Sequence, residues 1–262
     1  MLNRLHLAQA GLCFREGGVP DTRTLIGWVS TLRAGPIPVT GLALDATQAG
    51  QRPRELDRSA RRDLAATLRR AGLHSGGIDL FIPAEHYASP THADRAMAAM
   101  VAAIDLAREL ATLTEAPEAI VCTEFPPAID SGGGADARPG DLLGTLLGSI
   151  REHAQIADVR LADTAPGAAR PEILRAVDVA RCVLAGKDPA AELTSRSVLR
   201  LSDAAAGQRV PLGRGQSDTR AIAGAWAVMG GDRAPILDLR GLIDARSAVA
   251  EALSAWGLAV AM

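Results

Sequence analysis

Short apolar runs of strand length alternate with segments of helical period along most of this 262-residue chain, and that alternation restricts what it can fold into. A strand, a helix and a second strand close with a right-handed crossover, so successive strands run parallel and need helices over them. Seven strand candidates are legible: residues 4–14 (RLHLAQAGLCF), 39–46 (VTGLALDA), 77–83 (GIDLFIP), 119–124 (AIVCTE), 159–164 (VRLADT), 198–203 (VLRLSD) and 235–241 (PILDLRG). An eighth belongs between Thr164 and Val198, where EILRAVD (172–178) is the candidate.

The helices between them carry start and stop signals. Asp21 caps a helix over 22–32. Asp57 caps the next, in which Ala60, Leu64, Leu68 and Ala71 share a face before Gly72 ends it. Thr91 and Asp94 have capping-box spacing ahead of Met97, Val101, Ile104 and Ala107. Asp141 precedes Leu142, Leu146 and Ile150; Ile222, Trp226 and Met229 mark a later helix, and Val249, Leu253 and Trp256 the last. Only APGAARP (165–171) separates the fifth and sixth strands, too little for a crossover helix. The expected fold is a single α/β domain over 1–262, a parallel (β/α)8 TIM barrel lacking the outer helix between strands 5 and 6. The glycine-rich SGGGADARPG (131–140) predicts a mobile loop.

Apolar residues at 48% and charged residues at 22% fit a globular chain, and a net charge of −2 argues against a nucleic-acid surface. Cys13, Cys122 and Cys182 lack CxxC spacing and read as free thiols. With no signal peptide and no long apolar run, the expectation is a cytoplasmic protein without membrane contact. The chain is compatible with assembly into oligomers.

In a barrel of this kind the chemistry sits at the C-terminal strand ends. Those ends offer Asp45, then Glu85 and His86, Glu124, Asp163, Asp178, Arg200 with Asp203, and Asp238 with Arg240. So many carboxylates at one mouth repel one another unless a divalent cation or several arginines intervene. Oxygen ligands suit Mg²⁺ or Mn²⁺. Taken singly, Asp45, Asp163 and Asp178 also suit helix N-caps, and His86 a solvated loop. Arg200, between Leu199 and Leu201, is costly to bury unpaired, and Asp178 and Asp238 on the adjoining strands are its expected partners.

Four stretches resemble the xylose isomerase-like barrels, the superfamily of sugar phosphate isomerases and epimerases and of endonuclease IV. They are residues 44–73 (LDATQAGQRPRELDRSARRDLAATLRRAGL), 94–111 (DRAMAAMVAAIDLARELA), VLRLSD with VPLGRGQSD, and PILDLRG. The resemblance implies isomerisation or epimerisation of a small, sugar-like polyhydroxy carbonyl compound by carboxylate-mediated proton transfer. A divalent metal would be held by two Glu, one Asp and one His. By position, Asp163 falls where that family has its first Glu, Asp178 at its Asp, Arg200 at its His and Asp238 at its last Glu. On this reading Asp163, Asp238 and Arg200 are catalytic, and Asp163, Asp178 and Asp238 are the residual metal ligands. His86, Glu124, Asp203, Arg214 and Arg240 contact the substrate. Arginine has no lone pair to give a metal, so the site is degenerate, and a ligand-binding or inactive member is the alternative. A nuclease with several zinc-binding histidines is disfavoured by five scattered histidines and the net charge of −2.

Overall fold

The computed structural model describes residues 3–126, 142–165, 170, 172–229 and 233–261. Eight parallel strands close into a barrel: β1 (Leu5–Ala8), β2 (Val39–Asp45), β3 (His74–Asp79), β4 (Ile120–Thr123), β5 (Arg160–Asp163), β6 (Leu174–Asp178), β7 (Ser197–Leu201) and β10 (Ile236–Leu237). The order round the barrel is β1-β10-β7-β6-β5-β4-β3-β2, so β3 and β7 lie diametrically opposite. The remaining strands, β8 (Asp203–Ala205) and β9 (Gln208–Val210), form an antiparallel hairpin directly after β7. Its turn places Ala206 and Gly207 at φ 50 and 78, the left-handed pair that a tight two-residue turn requires.

Outside the barrel run α1 (Thr22–Thr31), α2 (Arg58–Arg70), α3 (Ala84–Ala88), α4 (Ala93–Thr114), α5 (Leu142–Ile156), α6 (Val179–Leu184), α7 (Thr219–Val228) and α8 (Ala245–Val260). Asp21, Asp57, Asp178, Asp218 and Asp244 each cap a helix by accepting from first-turn amides. The expected capping box at Thr91 is not formed: the N-cap of α4 is His92, with no side-chain hydrogen bond to the first turn. Between β5 and β6, none of the described residues is helical. The 131–140 loop and the Asp141 cap lie outside the described residues.

Strand alternation divides the core in two. Leu5, Leu7, Leu42, Leu44, Val121, Leu161, Leu199 and Leu201 pack outward against the helices, with Trp226 and Trp256 wholly buried. Inward-facing positions form a separate cluster, in which the small Ala8, Ala43, Cys122, Ala162, Ala176 and Val198 sit beside Ile120, Leu174 and Ile236. Arg200 lies two residues beyond Val198, on the same inward face and one layer nearer the mouth. The small side chains below it leave room for one long side chain to lie across the barrel.

Candidate functional site

Arg200 and Asp238 are both fully buried at the barrel mouth. The Arg200 guanidinium donates through Nε to Asp238 Oδ2 (2.9 Å) and as a fork to the two oxygens of Asp79 (2.6 and 2.9 Å). Asp79, also fully buried, ends β3 on the far side of the barrel. Asp238 is thus one of the two partners expected for Arg200, while the other is Asp79 and not Asp178. Asp178 pairs in register with Arg200 on the next strand, but arginine is long enough to span the narrow lumen, and the planar fork fits Asp79 in two parallel bonds.

Asp178 is held by other groups. Its Oδ2 accepts from Arg209, on β9, and from Arg240 at 3.2 Å, while its Oδ1 caps α6 through the amide of Arg181 (3.1 Å). Arg240 also closes on Asp238, at 2.6 Å for the shortest contact, with its guanidinium 4.7 Å from the centre of the Phe81 ring. Arg209 donates to Ser202 Oγ at 3.0 Å, which ties the hairpin over the mouth. Three arginines and three aspartates thus form one charge-balanced cluster. Burial opposes the charged form of Asp238, but Arg200, Arg240 and Arg209 outweigh it and hold its carboxyl well below the usual range. Burial likewise disfavours the cation of Arg200, yet Asp79 and Asp238 keep it firmly protonated. Burial pushes the neighbouring Cys122 thiol up to about 12, which leaves it inert as a nucleophile.

Asp163 belongs to a second group on the β4–β6 side. It accepts from Arg170 (2.9 Å) and from the amides of Phe125 (3.1 Å) and Ala165 (2.8 Å). Burial nevertheless raises its pKa above the ordinary carboxylate value. Close by, Glu124 receives both arms of Arg181, at 3.0 and 3.2 Å, and Arg181 also donates to the carbonyl of Thr164.

Other candidates are placed differently from the sequence reading. Asp203 is wholly buried, and its carboxylate accepts from the amides of Ala204, Gly213, Gly215 and Ser217 at 2.8–3.2 Å. It therefore shapes the PLGRG loop that leads into α7, with no oxygen spare for a substrate. A Cβ on Gly215 would collide with that carboxylate, so only glycine fits there. Arg214 is largely exposed and pairs with Glu251 on α8 at 2.8 Å. His86, on α3, stacks on His92 with ring centres 4.6 Å apart and lines a cleft outside the ion-pair cluster. Asp45 caps the turn at Thr47.

A divalent metal does not fit these residues. A guanidinium lies between Asp79 and Asp238, Asp178 and Asp238 are already neutralised by arginines, and Asp163 is engaged with Arg170. Among the described residues no group of three or more His, Cys, Asp or Glu side chains could hold a metal ion. The expected set of Asp163, Asp178 and Asp238 therefore does not come together as ligands.

The sequence reading missed Asp79 and Arg209. Strand 3 was extended to Pro83, which hid Asp79 inside it; a strand ending at Asp79 sets that residue level with Asp45, its partner in register. Arg209 falls between the strand candidate 198–203 and the helix marked by Ile222, outside any element read from the sequence. The register of Asp79 was the available signal for the first, and the Ala206–Gly207 turn a weak one for the second.

No family model matches this sequence, and no curated protein matches it. Among solved structures, a sugar phosphate isomerase/epimerase from Parabacteroides distasonis superposes over 100% of this chain and 95% of its own, with TM-score 0.67 and 14% identity. D-psicose 3-epimerase from Clostridium cellulolyticum, in complex with D-tagatose, covers 98% of both chains at TM-score 0.67 and 14% identity. A xylose isomerase domain protein from Planctomyces limnophilus covers 99% of this chain and 94% of its own at TM-score 0.62 and 16% identity. These identities carry the fold and not the chemistry. By fold, the chain is a (β/α)8 barrel, similar in architecture to these proteins.

Proposed function

We propose that this barrel recognises a small polyhydroxy carbonyl compound, sugar-like in character, at its C-terminal mouth without a divalent cation. The observation behind this reading is the buried Arg200, whose three hydrogen bonds to Asp79 and Asp238 supply the positive charge that a metal would otherwise bring. The fold neighbours that act on sugars support the class of ligand. Titration calorimetry with ketohexoses and their phosphates, in EDTA and again with Mn²⁺, tests it. Equal heats under both conditions are expected; binding that needs Mn²⁺, or no binding at all, refutes the reading.

A second reading, catalysis, is favoured by one further observation. Asp163 is the mouth carboxylate whose pKa burial raises, which brings it nearer to the working range of an acid/base group. Asp238 is pushed the other way and is a weak base. On this reading Asp163 removes the proton α to the substrate carbonyl, and Arg170 or Arg181 stabilises the enediolate oxygen. Proton NMR in D₂O would show loss of the substrate's α-hydrogen signal with wild type and none with Asp163→Asn. Binding without exchange in wild type would leave a binding protein and exclude the isomerase.

A further inference from the structure

Beside the mouth, and separated from the ion-pair cluster by Phe81, lies a cleft of about 540 Å³, a size that suits a small organic molecule. It opens between the segment that leads into α2 and the first turns of α4. Its floor is apolar, made by Leu80, Ile82 and the α4 residues Ala96, Ala99 and Ala102. Thr47 and His86 are the uncharged polar side chains of the lining, few for the many hydroxyl groups of a sugar, so its ligand differs in kind from the mouth's.

The rim is cationic. Arg52, Arg54 and Arg95 line it against one carboxylate, Glu55. Arg52 is already paired with Glu55 at 3.1 Å. Arg54 and Arg95 are exposed, and among the described residues neither has a carboxylate partner. The start of α4 adds to this field. Arg95 and Ala96 in its first turn border the cleft, and His92 gives that turn no side-chain cap. The amides of Ala93 and Ala96 are bonded to the carbonyls of Ser89 and His92, so those of Asp94 and Arg95 face the positive end of the helix dipole, which favours an anion there beside the Asp94 carboxylate already in that turn.

We infer that this cleft is a binding site for a small apolar molecule with a single anionic head group, such as a medium-chain carboxylate or alkyl phosphate. The hydrocarbon part lies on the alanine face of α4, and the head meets the side chains of Arg54 and Arg95. The site is independent of the sugar-like ligand proposed for the mouth, and its success or failure leaves that reading untouched.

The test uses 8-anilinonaphthalene-1-sulfonate, an apolar anion whose fluorescence rises on burial, with the whole folded chain. Saturable single-site binding to wild type is expected, with displacement by decanoate or decyl phosphate; the stronger competitor identifies the preferred head group. Arg54→Ala with Arg95→Ala, both at exposed positions, should weaken binding by about tenfold, which is ~1.4 kcal/mol shared by two partly solvated ion pairs. Ala99→Trp should fill the cleft and abolish binding, while a cooperative melt and unchanged near-ultraviolet dichroism show that the fold is intact. Should Ala99→Trp not fold, the double arginine variant decides alone. Non-saturable binding to wild type, full affinity in the double arginine variant, or full affinity in a folded Ala99→Trp overturns the inference.

Discussion

Replacing Arg200 with Met tests whether the ion-pair cluster is an obligate part of the core. The side chains of Arg200, Asp79 and Asp238 are all at 0% exposure. Met keeps much of the apolar stem and deletes three charge-assisted hydrogen bonds, two to Asp79 and one to Asp238. Asp238 retains Arg240 at 2.6 Å and so stays compensated. Asp79 does not: no other side chain among the described residues donates to its carboxylate. One buried, unpaired carboxylate costs about 3–5 kcal/mol. With a urea slope of about 3 kcal/mol per M, the unfolding midpoint should fall by roughly 1–1.7 M, read by circular dichroism. Adding Asp79→Leu removes the stranded charge and fills part of the lost volume, leaving Arg209 and Arg240 against Asp178 and Asp238. That double variant should recover to within about 1–2 kcal/mol of wild type, because an apolar pair of similar size often replaces a buried ion pair at little cost. A single variant within about 1 kcal/mol of wild type, or a double variant no better than the single one, would refute the reasoning.

Three further outcomes follow from other parts of the barrel. Calorimetric titration of Mn²⁺ into wild type should give no binding heat, since the mouth carboxylates are already occupied by guanidinium groups; a stoichiometric isotherm would contradict this. Burial, with His74 close against it, holds the His6 imidazole down to about 3, so the unfolded chain binds more protons than the folded one between about pH 6.5 and 3. Stability should therefore be complete above pH 6.5 and decline below it, by at most ~1.4 kcal/mol per pH unit from this group, and His6→Asn should flatten that slope in urea melts at pH 7 and 5. Gly215→Ala would force the Asp203 carboxylate away from the loop amides and should cost about 1–3 kcal/mol by thermal melting; an unchanged melting temperature would mean that the loop shifts freely.

The architecture was legible in the sequence because it is written in local terms. Hydrophobic period and N-cap aspartates located the strands and most helices, and right-handed crossovers made the sheet parallel. Asp21 and Asp57 cap helices where their sequence positions required. Arg200 was equally legible as a buried charge that must be paired, because its leucine neighbours place it inside a strand. Of its two partners, Asp238 was legible and Asp79 was not. Asp79 lies 121 residues away and on the opposite wall, and adjacency in the sheet favoured Asp178 instead. Closure of the barrel is what brings β3 and β7 face to face, and the small lumen residues are what let one guanidinium reach across.

The same division holds for the rest of the mouth. Sequence order determined which charged residues reach the strand ends. Only the tertiary structure decided that Asp203 spends its carboxylate on loop amides, that Arg214 turns outward to Glu251, and that the β8–β9 hairpin delivers Arg209 to Asp178. Ionic pairing in a closed barrel depends on distances across the lumen and on competition among several donors for each carboxylate. Neither quantity exists along the chain until the barrel has closed.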